Sequence, residues 1–178
     1  MKIISTWLGL FAALTVNAGD KVVPASDMTN APACIELKDQ FDAPRKLSFP
    51  ATNLTVLTIA DHKGSEQVAG WVAPVKARYG LRVGIHGIAD VSAVPGWLRG
   101  VVRKKFQQRQ TYPVMLDWSG ETVKAFAAVH NCVNGFVLNE HGRILLRFQG
   151  EATPVALSEL YTTIDQALSG NKPPVATK

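Results

Sequence analysis

The chain has 178 residues, 47% of them hydrophobic and 19% charged, with a formal net charge of +5. That length suits one domain of ordinary size that can bury a real core. Past the first eighteen residues no stretch is apolar enough to span a bilayer. The modest basic excess, with no nucleic-acid motif beside it, argues against nucleic acid as a partner.

The N-terminus is read first, because it changes the chemistry expected of the rest. Lys2 precedes an apolar run over residues 3–14, and Val16 and Ala18 occupy the minus-three and minus-one positions of a signal-peptidase site. This is the pattern of a cleaved secretory signal over residues 1–18, too short for a comfortable permanent span. The mature chain is then expected to be secreted or periplasmic and to keep off membranes. An oxidising compartment would permit a disulfide between Cys34 and Cys132, the only two cysteines. Closing so long a loop stabilises by about 4 kcal/mol on the loop-entropy model. Two separate thiols fit the sequence equally well.

Residues 19–32 show no period and read as an extended leader, and the domain proper spans 33–168. A short hairpin is expected from Cys34-Ile35-Glu36-Leu37, the turn Phe41-Asp42-Ala43-Pro44 and the return Leu47-Ser48-Phe49. Leu54–Ala60 is a mostly apolar, β-branched run suited to a central strand buried on both faces. Val68, Trp71, Val72, Val75 and Tyr79 then mark one face of a helix, with Ser65 as N-cap, Pro74 inside and Gly80 at the end. Residues 81–91 read as a strand. Val94, Trp97, Leu98, Val101, Val102 and Phe106 read as the core stripe of a second helix. Its cations Arg99, Arg103, Lys104, Lys105 and Arg109 form a solvated face or a contact for an anionic surface.

Residues 113–118 form a short strand, and Val123, Phe126 and Ala127 suggest a brief helix. Phe136-Val137-Leu138 and Ile144 to Phe148 flank Asn139-Glu140-His141-Gly142, a hairpin signal because glycine accepts the positive φ of the turn. Leu157, Leu160, Tyr161, Ile164 and Leu168 build a closing helix, and 169–178 reads as a disordered tail. Strands alternating with helices, then a hairpin, predict an α/β fold with a mixed central sheet and helices on both faces.

Three segments carry a family likeness. Ala31-Pro32-Ala33-Cys34-Ile35-Glu36-Leu37-Lys38-Asp39-Gln40 is similar to an "APxFxLxDxxG" opening. Pro113-Val114-Met115-Leu116-Asp117 is similar to an "fPvllD" strand, and Phe136 to Ile144 to an "fliDxdGxI" hairpin. In this order they resemble the thioredoxin-like superfamily, in the branch of peroxiredoxins and exported thiol–disulfide oxidoreductases. The resemblance implies a three-layer thioredoxin-like fold over residues 31–168, with an N-terminal β-hairpin.

The departures from that pattern bear on function. Gly64-Ser65-Glu66-Gln67 falls where the family carries CxxC, and no peroxidatic threonine–cysteine motif is present. Val133 falls at the family's cis-proline; a cis bond there would cost about 3 kcal/mol, so a trans peptide is expected. Disulfide exchange needs a thiolate and a resolving thiol, and an unassisted serine hydroxyl supplies neither. Dithiol catalysis through the first loop is excluded.

By the resemblance, Cys132 lies beside the former catalytic surface, near the start of the Ser65 helix. It is either a reactive thiol or an inert, partly buried one. His62, Lys63, Ser65 and Glu66 of the first loop, with Trp118, Cys132, Val133 and Asn134, are the candidate binding residues. His62 and His130 with Asp61 could meet a metal, but without metal-ligand spacing, so neither metal nor cofactor is expected. His86 and His141 read as structural or solvated, Asp117 as packing or groove, and Trp71 and Trp97 as core. The expected function is a non-catalytic module that binds a protein or peptide, in the superfamily's manner of pairing extended chain at the surface between the two loops. The alternative is a one-thiol oxidoreductase or redox sensor using Cys132.

Overall fold

A computed structural model describes residues 30–170 together with the two-residue strand β1, Val23–Pro24. The signal segment, most of the leader and residues 171–178 lie outside the described residues. The fold is organised on β4, Leu54–Ala60, whose seven residues are all buried. A strand covered on both faces has no reason to alternate polar with apolar, which is why this run is nearly all apolar. Leu54, Val56 and Ala60 point into one core and Leu57 and Ile59 into the other.

Among the described residues eight strands form one sheet, in the order β1, β8 (Ile144–Gln149), β7 (Val133–Leu138), β4, β5 (Val83–Asp90), β6 (Met115–Asp117), β2 (Cys34–Asp39), β3 (Pro44–Ser48). Beside β4, β5 (Val83–Asp90) runs parallel, with Ala60 opposite Ala89, and β6 (Met115–Asp117) continues parallel from Ile88 to Asp90. On the other side β7 (Val133–Leu138) is antiparallel to β4 and forms a hairpin with β8 (Ile144–Gln149). Gly142 takes φ +81° in its turn, as the hairpin signal requires. The expected N-terminal hairpin is present as β2 (Cys34–Asp39) and β3 (Pro44–Ser48). It joins β6 antiparallel at Lys38 and Asp39.

Helices α1 (Val68–Tyr79) and α4 (Pro154–Gly170) bury Trp71, Val75, Tyr79, Ala156, Leu160 and Ile164 against one face of the sheet. The short α3 (Glu121–Ala125) and the β2–β3 hairpin cover the other through Val123, Ile35 and Leu47. The mixed, helix-flanked sheet is therefore as expected. The closing helix runs to Gly170, which moves the start of the expected tail past Ser169.

Two expectations fail for local reasons. Leu81 is not the start of a strand; it sits in a 3₁₀ turn over Gly80–Arg82 and is exposed. Trp97 is not core but 81% exposed, and Val101 is 52% exposed. A 3₁₀ turn over Gly96–Leu98 precedes α2 (Arg99–Arg109). Three residues per turn instead of 3.6 throws Trp97 out of phase with the helix stripe. Only Val94, Val102 and Phe106 from this stretch pack on Ala89, Val91, Val114 and Leu116.

Close packing leaves one position in β7 with no tolerance. A Cβ at Gly135 would fall 1.9 Å from ring carbons of Phe148, which itself stacks on Trp71 at 4.2 Å between centroids. Gly135→Ala is expected to destabilise by about 2 kcal/mol or more, as overpacking does. Urea denaturation checks this: the midpoint should fall with the slope unchanged.

Candidate functional site

Two loops meet at the carboxyl end of β4. The first, residues 61–67, leaves β4 and leads through a 3₁₀ turn, Gly64–Glu66, into α1. The second, residues 126–132, enters β7. Asp61 ties them: one carboxylate oxygen accepts from Gly64 N–H at 2.8 Å and the other from Asn131 N–H at 2.6 Å. Its own carbonyl accepts from Ser65 N–H. Gln67 adds a second tie, its Oε1 accepting from Val133 N–H at 3.0 Å.

These bonds bring the loops into direct contact. A Cβ at Gly64 would lie 2.3 Å from the Cys132 carbonyl oxygen, so only glycine fits between the loop backbones. Ser65 is not the N-cap of α1. The helix begins after Gln67, which makes no side-chain cap, and the Ser65 hydroxyl donates to the His62 carbonyl at 2.6 Å. Asp61 anchors the 3₁₀ turn ahead of α1 through Gly64 and Ser65 N–H, and α1 itself starts without a side-chain cap.

The second loop is stitched from within by Asn134. Its Oδ1 accepts from Val129 N–H and from Gln149 Nε2, and its Nδ2 donates to Val129 and Cys132 carbonyls. The Val133 carbonyl accepts from Gly150 N–H, and the Gly150 carbonyl accepts from Trp71 Nε1. Among the described residues the only cis peptide is Phe49–Pro50, so Cys132–Val133 is trans, as expected. Val133 thus has both backbone groups bonded within the molecule, and strand pairing to a partner at that residue is closed off.

Of the candidate binding residues, His62, Lys63, Ser65 and Glu66 are exposed on the first loop. Val133 and Asn134 are buried and hold the loop rather than face solvent. Trp118 is half-buried with Arg99 over its ring at 5.2 Å. Asp117 next to it is fully buried and its carboxylate accepts from the backbone of Ser119, Gly120, Thr122 and Val123. It organises the turn into α3, which is the packing role. His130, in the second loop, places Nδ1 3.5 Å from Asp90 and 3.9 Å from Asp61; sequence spacing gave no sign of Asp90 there. His62 makes no such approach, and among the described residues no group of three potential ligands gathers.

Both cysteines are free thiols. Cys132 precedes β7, whereas Cys34 lies near the turn that follows it: Ala31 N–H bonds the Gly142 carbonyl, and Phe49 N–H bonds Ala33. The six residues of β7 separate these ends by about 20 Å at 3.3 Å per residue. A disulfide needs Cα atoms within about 7 Å, so the Cys34–Cys132 bridge is not formed. Burial, and then the Asp61 carboxylate, push the Cys132 thiol above its ordinary value. Its Sγ donates to the Val129 carbonyl at 3.6 Å. The helix start does not prevail over these effects.

This fold recurs in solved structures. The chain has the thioredoxin-like fold. It is similar to a Chlorobium tepidum protein provisionally named thiol:disulfide interchange protein DsbE, at TM-score 0.61 and 19% identity over 79% of this chain and 96% of that one. A DsbF homologue from Corynebacterium diphtheriae matches at TM-score 0.58 and 14% identity, covering 85% and 95%. Peroxidoxin BcpB from Mycobacterium tuberculosis matches at TM-score 0.52 and 14% identity, covering 82% and 97%. No protein-family model matches the sequence, and no curated relative does. No described helix is long and apolar enough to cross a membrane.

The Gly64 contact yields a direct expectation. Gly64→Ala must push the second loop away from the first, costing about 1–3 kcal/mol. Thermal denaturation should show the loss, and Cys132 should become faster to alkylate than in the unaltered protein.

Proposed function

We propose that the chain is a redox-silent thioredoxin-fold module that engages a protein or peptide partner instead of exchanging disulfides. The observation that carries this reading is the state of the only sulfur at the site. Burial and the neighbouring Asp61 carboxylate disfavour the Cys132 thiolate, and the second sulfur of the chain lies at the far end of β7. A thiol is a weak nucleophile until ionised, and a mixed disulfide needs a second thiol to resolve it. The one-thiol oxidoreductase reading has geometry and electrostatics against it.

Support for binding comes from the surface. Large apolar side chains stand exposed at Trp97, Val101 and Tyr112, on α2 and the segments flanking it, and at Phe41 in the β2–β3 turn. Residues 91–116 carry five cations and no acid. Exposed apolar side chains beside a cationic stretch favour an interaction face. The signal pattern and the fold together support an exported location.

Cys132→Ser should leave partner capture unchanged and should abolish no activity, because the unaltered protein is expected to reduce insulin disulfides no faster than buffer. Capture that disappears with the serine variant, or measurable insulin reduction, contradicts the reading. The pH dependence has a definite sign. With the thiol raised, the alkylation rate of Cys132 should stay low through neutral pH and climb only above the ordinary thiol range. Asp61→Asn removes one cause of the raised value and should move that climb to lower pH, a shift read by labelling at a series of pH values.

A further inference from the structure

The sheet has an opening that the sequence did not announce. Strand β5 pairs with β6 only from Ile88 to Asp90, so the preceding half of its edge has no strand beside it among the described residues. The reason lies in the approach to β6. Pro113 has no N–H to offer a ladder. The fully buried Gln40 also draws the preceding segment aside, donating to the Gln110 and Tyr112 carbonyls and accepting from Val114 N–H.

What remains is a cleft of about 390 Å³ lined by Pro44, Arg45, Lys46, Ile85, His86, Gly87, Pro113 and Met115. The direction of the β5 backbone follows from its last rung, where Val91 N–H bonds the Asp117 carbonyl. Alternate residues share a direction in a strand, so the backbone of Ile85 and the N–H of Gly87 face the cleft. The charged lining is cationic only. Arg45 contacts Asp39 through Nε, and Lys46 contacts Glu36, both acids outside the lining. Burial pushes His86 below the ordinary histidine value, which disfavours its charged form.

We infer that this cleft receives a short extended peptide segment, added as a strand beside Ile85–Gly87, with a carboxylate side chain directed to Arg45 and Lys46. This rests on the binding-module reading and gives it a place away from the closed junction of the two loops. An unpaired strand edge supplies donors and acceptors that any extended chain can match, and flanking pockets supply preference for side chains. The volume is at the lower end of ligand sites, enough for a few residues.

The probe is a blocked hexapeptide of alternating valine and glutamate, titrated into the full isotope-labelled protein and followed by amide NMR. Its controls are the valine–lysine counterpart and the valine–glutamate peptide N-methylated at alternate residues. The glutamate peptide should shift the Ile85 and Gly87 amides and slow their hydrogen exchange, and Lys46→Gln should weaken binding about threefold to tenfold with the free spectrum otherwise preserved. The lysine and N-methylated peptides should bind at least tenfold more weakly. Equal binding by the N-methylated peptide overturns strand addition. Shifts confined to residues 62–67 or 130–132 overturn the cleft while leaving the module reading intact. No shift in any residue overturns the cleft as well; the Cys132→Ser capture experiment judges the module reading separately. Ile85 and Gly87 amides protected like those of β4 before any peptide is added would show that the edge is not open.

Discussion

The two carboxylate oxygens of Asp61 hold together the part of the fold on which its chemistry turns. One binds the middle of the first loop and the other the end of the second, and Gln67 repeats the tie one turn later. Each bond is charge-assisted or half-buried, the kind that costs most to break. Gly64 then sits against the Cys132 carbonyl with no space for a side chain. In a thiol exchanger this junction has to admit a sulfur and the chain attached to it. Here it is filled by backbone.

The same ties settle the electrostatics. A cysteine near a helix start would ordinarily ionise more easily. Cys132 instead loses solvent and gains a carboxylate neighbour, both of which disfavour its thiolate. The scaffold around it is sound, with two cores on either side of β4 and Trp71 stacked on Phe148 beneath the loops. On the proposed reading a fold with this closed junction holds a partner at other features: the turn before α2 with Trp97, and the edge of β5 left open among the described residues.

Legibility in the sequence followed the physics of each element. Strand β4 and the β7–β8 hairpin were readable because burial on both faces and a glycine turn leave direct marks on composition. Trp97 was not, because a three-residue 3₁₀ turn shifts the phase of the pattern without changing which residues are apolar. Ser65 looked like a cap since serine commonly is one, yet a 3₁₀ turn holds it ahead of α1 and its hydroxyl turns back to the His62 carbonyl. Absence of CxxC was plain to read. The contact between Gly64 and Cys132, the approach of Asp90 to His130, and the gap beside β5 depend on residues far apart in the chain, and no local spacing encodes them. For the same reason Cys34 and Cys132 could be counted as a pair but not placed at opposite ends of one strand.

The closed junction is tested most directly by exposing the native protein to glutathione disulfide near neutral pH and following each cysteine by peptide mass analysis. The exposed Cys34 serves as an internal reference in the same molecule. Cys132 should remain unmodified while Cys34 takes up the adduct, and should react only once denaturant releases the loops. Rapid formation of a mixed disulfide at Cys132 in the folded protein would contradict the account.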